Sequence, residues 1–194
     1  MAHDLLQNLL IEIGCEDLPA RYVRPLAEAL AQGISSGLDV RGVERGEFTV
    51  FATPRRVAVR IAAVGLQQPE QAVMRKGPAV AAAYKDGAPT RAADGFARSC
   101  GVSLDALVEE DGYLVFRKTE PGRNTAELMP AVLSEAINGM DALVPKRMRW
   151  GEGDATFVRP VQWLLALHGE SVLPLEAFGL RADRLTRGHR FHAP

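Results

Sequence analysis

The residues with the most pointed chemistry are cations set beside aromatic, glycine and proline residues. "PKRMRWG" places Lys146, Arg147 and Arg149 within four positions, and Trp150 follows them. "TRGHRF" carries Arg187, His189 and Arg190. "ATPRRVAV" supplies Arg55 and Arg56, "MRKGPAV" supplies Lys76, and "FVRPVQW" supplies Arg159. Arginine grips phosphate through a planar fork and stacks on rings. Aromatic side chains are platforms for unpaired bases. Glycine lets a phosphate backbone come close. On residue types alone these clusters point to an RNA-binding face. The competing reading of each cluster is structural: Trp150 and Trp163 as core aromatics, and arginines paired with the many acids.

Other chemistries lack their parts. There is no Walker A loop, no G-x-G-x-x-G after a strand, and no serine in a nucleophile elbow. Cys15, in "GCED", has acidic neighbours that oppose a thiolate, so it reads as a small packed residue. His189 and His192 are three apart, but a glycine precedes them and further ligands are missing nearby. Asp86, Asp94, Asp105 and Asp111 stand in turn and cap contexts. No catalytic residue and no metal ligand is assigned.

The net charge is −1, from 23 Lys and Arg against 24 Asp and Glu. That balance hides segregation. Residues 1–52 carry −4, residues 53–76 carry +4, residues 77–140 carry −3 and residues 141–194 carry +2. Basic stretches between acidic ones can build a local positive face on a neutral protein.

The elements that must position these residues alternate between strands and helices. "NLLIEIG" reads as a buried strand ended by Gly14. Asp17 is a candidate helix cap, and Leu18, Tyr22, Leu26, Leu30 and Ile34 give the following helix one apolar face. Pro25 predicts a kink, or a main helix starting near it. Gly33 and Gly37 mark its weakening end. "EFTVFA" and "RRVAVRIAAV" read as strands joined tightly at Thr53-Pro54.

Beyond these, "KDGAPTRAADG" is rich in turn formers and reads as a loop. A short helix is expected near Ala92–Ser99, and another after Ser103. "GYLVFRK" reads as a strand. Asn124 with Glu127 resembles a capping box for a helix that Gly139 would stop. "VQWLLALHG" and "SVLPLEAF" read as strands joined at Gly169 and Glu170.

The fold class expected is α+β: a mixed or antiparallel sheet packed with helices, beginning β-α-β-β. Two units are expected, 1–66 and 67–194. The alternative is one domain with 67–110 inserted. The strand and helix phases predict burial of Leu10, Ile11, Ile13, Val57, Val59, Ile61, Leu114, Phe116, Leu133, Ile137, Leu165 and Leu167.

With 194 residues, 47 % of them hydrophobic, the chain suffices for one sizeable core or two small ones. No stretch approaches a membrane span, and no basic region precedes the first apolar run, which argues against a signal peptide. Two cysteines are too few for a disulfide framework. A cytoplasmic protein without membrane contact fits.

Taken in order, "LLIEIGCEDLPA", "ATPRRVAV", "RKGPA", "PKRMRWG", "FVRPVQWLLAL" and "RGHRF" resemble the N-terminal part of the bacterial glycyl-tRNA synthetase beta subunit. The resemblance runs from Leu10 to Phe191. Cys15 and Asp17 stand where the family more often reads "GTEELP", and Pro25 inside the first helix is less usual.

The resemblance implies membership of an α2β2 enzyme that joins glycine to tRNA(Gly). ATP and Mg2+ would act at the alpha subunit, and no cofactor is expected in this chain. Alpha, tRNA and later beta-subunit domains are the implied partners. This chain would contribute to tRNA binding and assembly without catalysing. The alternative is a purely structural docking domain that holds alpha or later beta domains without touching RNA. A third reading, a phosphoester-processing enzyme with Arg187, His189 and Arg190 as its anion site, lacks a nucleophile or metal set.

Overall fold

A computed structural model describes residues 6–85, 87–189 and 192. In chain order the elements are β1 (Leu6–Cys15), α1 (Ala20–Val40), β2 (Phe48–Thr53), β3 (Arg56–Gly65), β4 (Gln71–Ala79), α2 (Val80–Ala83), β5 (Tyr84–Lys85) and β6 (Ala88–Pro89). Then come α3 (Arg91–Cys100), a single 3-10 turn at Leu104–Ala106, β7 (Val108–Glu110), β8 (Tyr113–Glu120) and α4 (Thr125–Asp141). The chain closes with β9 (Met148–Arg149), β10 (Thr156–Phe157), β11 (Val161–His168), β12 (Ser171–Val172), β13 (Glu176–Ala177) and β14 (Leu180–Arg181). The class is α+β with antiparallel strand pairing, and it begins β-α-β-β as expected. Two compact units result: residues 1–68 with 123–194, and residues 69–122.

The larger unit is built on a five-stranded sheet of order β12-β11-β1-β3-β2. Side chains alternate across a strand, and β1 shows the consequence. Leu9, Ile11, Ile13 and Cys15 are fully buried on one face. Against them pack Val57, Val59 and Ile61 of β3 and the apolar stripe of α1, from Leu26 through Leu38. Each fully buried Leu or Ile contributes about 1.5–3 kcal/mol relative to exposure. The opposite face of β1 carries Leu10, Glu12 and Gly14. Gly14 stands beside Arg56 on one neighbour and Trp163 on the other.

This phase explains where burial differs from expectation. Leu10 and Leu167 are cross-strand partners on that second face and are half-buried, as is Ile137 on α4. The other residues expected to be buried are buried.

α1 departs from its expected shape. It runs unbroken from Ala20 to Val40 with Pro25 inside it, and the N-cap is Pro19 rather than Asp17. Pro25 and Arg21 are exposed, so the carbonyl that loses its partner meets water. Gly33 and Gly37 do not weaken the helix end; they let α4 approach. A Cβ on Gly33 would lie 2.7 Å from Ala136 Cα, and one on Gly37 would lie 2.8 Å from Val132 Cγ1. α4 likewise continues past Gly139 to Asp141. Asn124 is its N-cap, yet its amide donates to Glu127 Oε1 at 3.3 Å instead of capping the backbone.

The smaller unit holds a three-stranded sheet, β4-β8-β7, and the β5-β6 ribbon. Its core is Ala83, Ala93 and Leu114, with Tyr84, Phe96, Leu104 and Leu107 around it. Within the stretch expected as a loop, Lys85 and Ala88–Pro89 belong to the β5-β6 ribbon, and α3 is the short helix expected near Ala92–Ser99. The helix expected after Ser103 is only the Leu104–Ala106 turn. In the larger unit, "SVLPLEAF" is split between β12 and β13, with Pro174 between them removing a ladder donor.

Candidate nucleic-acid interface

The tip of the β2-β3 hairpin sets the first two cations. Thr53 pairs with Arg56, leaving Pro54 and Arg55 as a two-residue connection. The backbone of β1's end ties this tip down. The Cys15 amide donates to the Arg55 carbonyl at 3.0 Å, and the Leu18 amide donates to the Pro54 carbonyl at 2.7 Å. Arg55 Nη2 lies 3.6 Å from Glu16 Oε2. Arg55 Nε is buried and has no hydrogen-bond partner among the described residues.

Beneath the tip is a carboxylate out of place by composition. Glu12 is only 7 % exposed, although it belongs to an apolar strand. Burying an ionised carboxylate costs heavily unless donors compensate it. Here Trp163 Nε1 and Thr186 Oγ1 both donate to Glu12 Oε1 at 2.5 Å. Arg56 Nε stands 3.2 Å from the same oxygen as an ion pair. That pair lacks hydrogen-bond alignment, so its contribution is mainly electrostatic.

Trp163 lies flat across Gly14, where a Cβ would fall inside the indole. The guanidinium of Arg187 lies 5.4 Å from the Trp163 ring centroid, and that of Arg56 lies 5.7 Å from it. Arg56 Nη2 also donates to the Arg187 carbonyl. Sheet, indole and arginines thus fix the otherwise irregular segment that follows β14.

These groups line a cavity of about 890 Å³. Arg55, Arg56, Arg187 and His189 line it together with Asp17, Thr53 and Trp163. Cys15 ends β1 nearby, and burial pushes its thiol up to about 12, against a smaller lowering by Arg55. It is a packed residue rather than a nucleophile. Among the described residues no group of three or more His, Cys, Asp or Glu could hold a metal ion.

The remaining expected residues lie elsewhere. β9 and β10 form a small ribbon. Lys146 is exposed just before it. Arg147 donates to Asp141. Arg149 donates to the Gly153 carbonyl at 3.3 Å. Trp150 is half-buried against the main core, with its ring centroid 6.4 Å from that of Phe178. Arg159 donates to the Val158 carbonyl at 2.9 Å. Lys76 belongs to the smaller unit, 3.6 Å from the Tyr113 ring centroid. Arg190 lies outside the described residues.

Sequence reasoning did not assign Glu12, Thr53, Thr186 or Trp163 to a site. One signal was available: a glutamate inside "LLIEIG" must find donors wherever that strand is covered.

A family model described as "Glycyl-tRNA synthetase beta subunit" matches residues 9–194. The chain belongs to this family. It is 47 % identical over 190 residues to a Chromohalobacter salexigens protein named glycine–tRNA ligase beta subunit, covering 96 % of this chain and 27 % of the relative. Proteins of the same name from Hahella chejuensis and Marinobacter nauticus are 45 % and 44 % identical over 193 residues. Each of those alignments covers 97 % of this chain and 28 % of the relative. The chain thus spans somewhat over a quarter of the length of these beta subunits.

Membership gives the geometry a pattern. Four of the six segments that carry the family resemblance meet at the cavity. "LLIEIGCEDLPA" supplies Asp17 to the lining, with Glu12 and Gly14 behind Trp163, and "ATPRRVAV" supplies Thr53, Arg55 and Arg56. "FVRPVQWLLAL" supplies Trp163, and "RGHRF" supplies Arg187 and His189. The other two lie at the β9-β10 ribbon and in the smaller unit.

Proposed function

We propose that this chain acts as the N-terminal region of a glycine–tRNA ligase beta subunit, contributing to tRNA binding and assembly without carrying out chemistry. The observation that supports this reading is the convergence of four family segments on one arginine-lined cavity. Arginine beside an aromatic ring suits an RNA backbone, while the site has no activated nucleophile. In this reading ATP, Mg2+ and glycine are handled by an alpha subunit in a cytoplasmic α2β2 enzyme. The remaining beta-subunit domains are further partners.

A second reading applies to the ribbon. Arg147 is engaged by Asp141 and Trp150 by the core, which favours scaffolding there. Lys146 and Arg149 remain RNA candidates, as do Arg159, Lys76 and Arg190.

The test is a tRNA crosslinking map on the full-length polypeptide assembled with alpha. Crosslinks are expected in peptides containing Arg55–Arg56 and Arg187. Crosslinks confined to other parts of the enzyme would remove the RNA role. The chain alone is expected to leave glycine-dependent ATP–pyrophosphate exchange at background.

A further inference from the structure

We propose that the cavity is a ribonucleotide subsite: Arg55 and Arg187 hold one backbone phosphate of RNA, and Asp17 accepts from a ribose hydroxyl. This rests on the tRNA-binding reading above and specifies where and how one nucleotide is held.

The cations are not equivalent. Arg56 is committed to the protein, because it faces Glu12 and donates to the Arg187 carbonyl. Arg187 has a different status. Its guanidinium stacks on Trp163, and it has no carboxylate within ion-pair distance among the described residues. A guanidinium carries five N–H donors, and ring stacking satisfies none of them. Arg55 is intermediate. Its one carboxylate partner among the described residues, Glu16, stays at 3.6 Å, and its buried Nε, like that of Arg56, is left without an acceptor. Buried donors without acceptors are uncommon and costly in folded proteins. Two arginines with spare donors on one cavity therefore point to a bidentate anion such as phosphate.

Asp17 narrows the ligand. A carboxylate in the same cavity opposes a bare polyanion but welcomes hydroxyl donors. Asp17 is exposed and lines the cavity. The pairing of guanidiniums with a carboxylate matches a phosphate joined to a sugar. The 2′-hydroxyl is the group that separates RNA from DNA. At about 890 Å³ the cavity exceeds what a lone phosphate fills. The hydrogen bonds of Trp163 and Thr186 to the buried Glu12 hold this arrangement in advance, which reduces the ordering cost of binding. Glu12 is a positioning residue, since it is buried and does not line the cavity, whereas Trp163 lines it and carries the Arg187 guanidinium on its ring.

The experiment measures tRNA(Gly) affinity at several salt concentrations on the full-length polypeptide assembled with alpha. Wild type is compared with Arg187→Ala, Arg187→Lys and Asp17→Asn, and each variant's melting temperature is recorded. Arg187→Ala is expected to bind about ten- to a hundredfold more weakly. Its salt slope is expected to fall by roughly 0.7–0.9. Arg187→Lys should keep the slope but regain only part of the affinity, because the charge survives and the fork does not. Asp17→Asn should reduce the preference for tRNA(Gly) over a 2′-deoxy counterpart of the same sequence.

If wild type binds tRNA and Arg187→Ala matches it in affinity and slope, the subsite is wrong while the broader reading survives. If wild type does not bind tRNA, the broader reading itself fails. AMP is the second probe. AMP binding that depends on Arg187, with tRNA affinity unchanged in the variant, would assign the cavity to a free nucleotide and overturn the RNA assignment. An unchanged ribose preference in Asp17→Asn would remove Asp17 from the site.

Discussion

Glu12 is a carboxylate in the middle of an apolar strand, and its surroundings turn that liability into order. Removing it leaves the Trp163 N–H and the Thr186 hydroxyl without their acceptor, and Arg56 without its counter-charge. Breaking a fully buried ion pair costs about 3–5 kcal/mol. Arg56 is 27 % exposed, so Glu12→Ala is expected to cost less, about 2–4 kcal/mol in urea unfolding. Glu12→Gln keeps an acceptor for the indole and should cost clearly less than Glu12→Ala. Equal losses in the two variants would mean that the indole hydrogen bond contributes little.

Cys15 gives a residue-scale prediction in pH. Burial raises its thiol from 9.0 to about 12, so between those values the folded state holds a proton that the unfolded state has released. Stability from this site is therefore complete below about pH 9 and declines as pH rises toward 12. The slope is at most about 1.4 kcal/mol per pH unit. Cys15→Ala should flatten that part of the stability profile. In the wild type, iodoacetamide at pH 8 should modify the half-buried Cys100 well before Cys15.

At the scale of elements, the glycines of the two long helices separate propensity from packing. Gly139 on α4 is exposed and has open space where a Cβ would go. Gly139→Ala should stabilise by about 0.5–1 kcal/mol, the usual helical gain over glycine. Gly33→Ala earns the same gain but drives its Cβ against Ala136, and overpacking typically costs about 1–3 kcal/mol. Net destabilisation is expected there. Thermal unfolding of the two variants checks both signs at once, and a stabilised Gly33→Ala would contradict the close helix approach.

The same glycines mark what was legible in the sequence. Period-two alternation in "RRVAVRIAAV" and the turn at Thr53-Pro54 give β3 and its hairpin, because the pattern is local. That Gly33 and Gly37 admit α4 rather than end α1 depends on a partner about a hundred residues away. Pro25 predicts a break by the same local logic, and its exposure lets the helix run through. Of the candidate site, the arginines were legible by type and by company. Their division between a shared cavity, a ribbon and a separate unit was not, since it depends on strand order. Glu12 and Trp163 meet only because β11 lies beside β1.

For the whole molecule, near-zero net charge and a basic site are compatible because the charge is segregated along the chain and gathered by the fold. Residues with opposite roles can then be told apart by two bulk measurements on the assembled enzyme, melting temperature and the salt dependence of tRNA binding. Trp150 is half-buried against Phe178 and the main core. Trp150→Ala should lower stability by about 1–3 kcal/mol, less than for a fully buried aromatic, and leave the salt slope unchanged. Arg55→Ala removes a cavity cation whose only ion-pair partner among the described residues is 3.6 Å away. It should hardly move the melting temperature, while lowering the slope by roughly 0.7–0.9 through one phosphate fewer neutralised. Lys146→Ala decides the ribbon. Lys146 is exposed, so its loss costs little stability under either reading. If the ribbon touches RNA, the slope falls as it does for Arg55→Ala. If the ribbon is scaffolding, affinity and slope match wild type. Because Arg147 and Trp150 are already engaged within their own unit, an unchanged slope for Lys146→Ala is the expected result, and under the proposed reading the salt-sensitive contacts then fall to the cavity arginines.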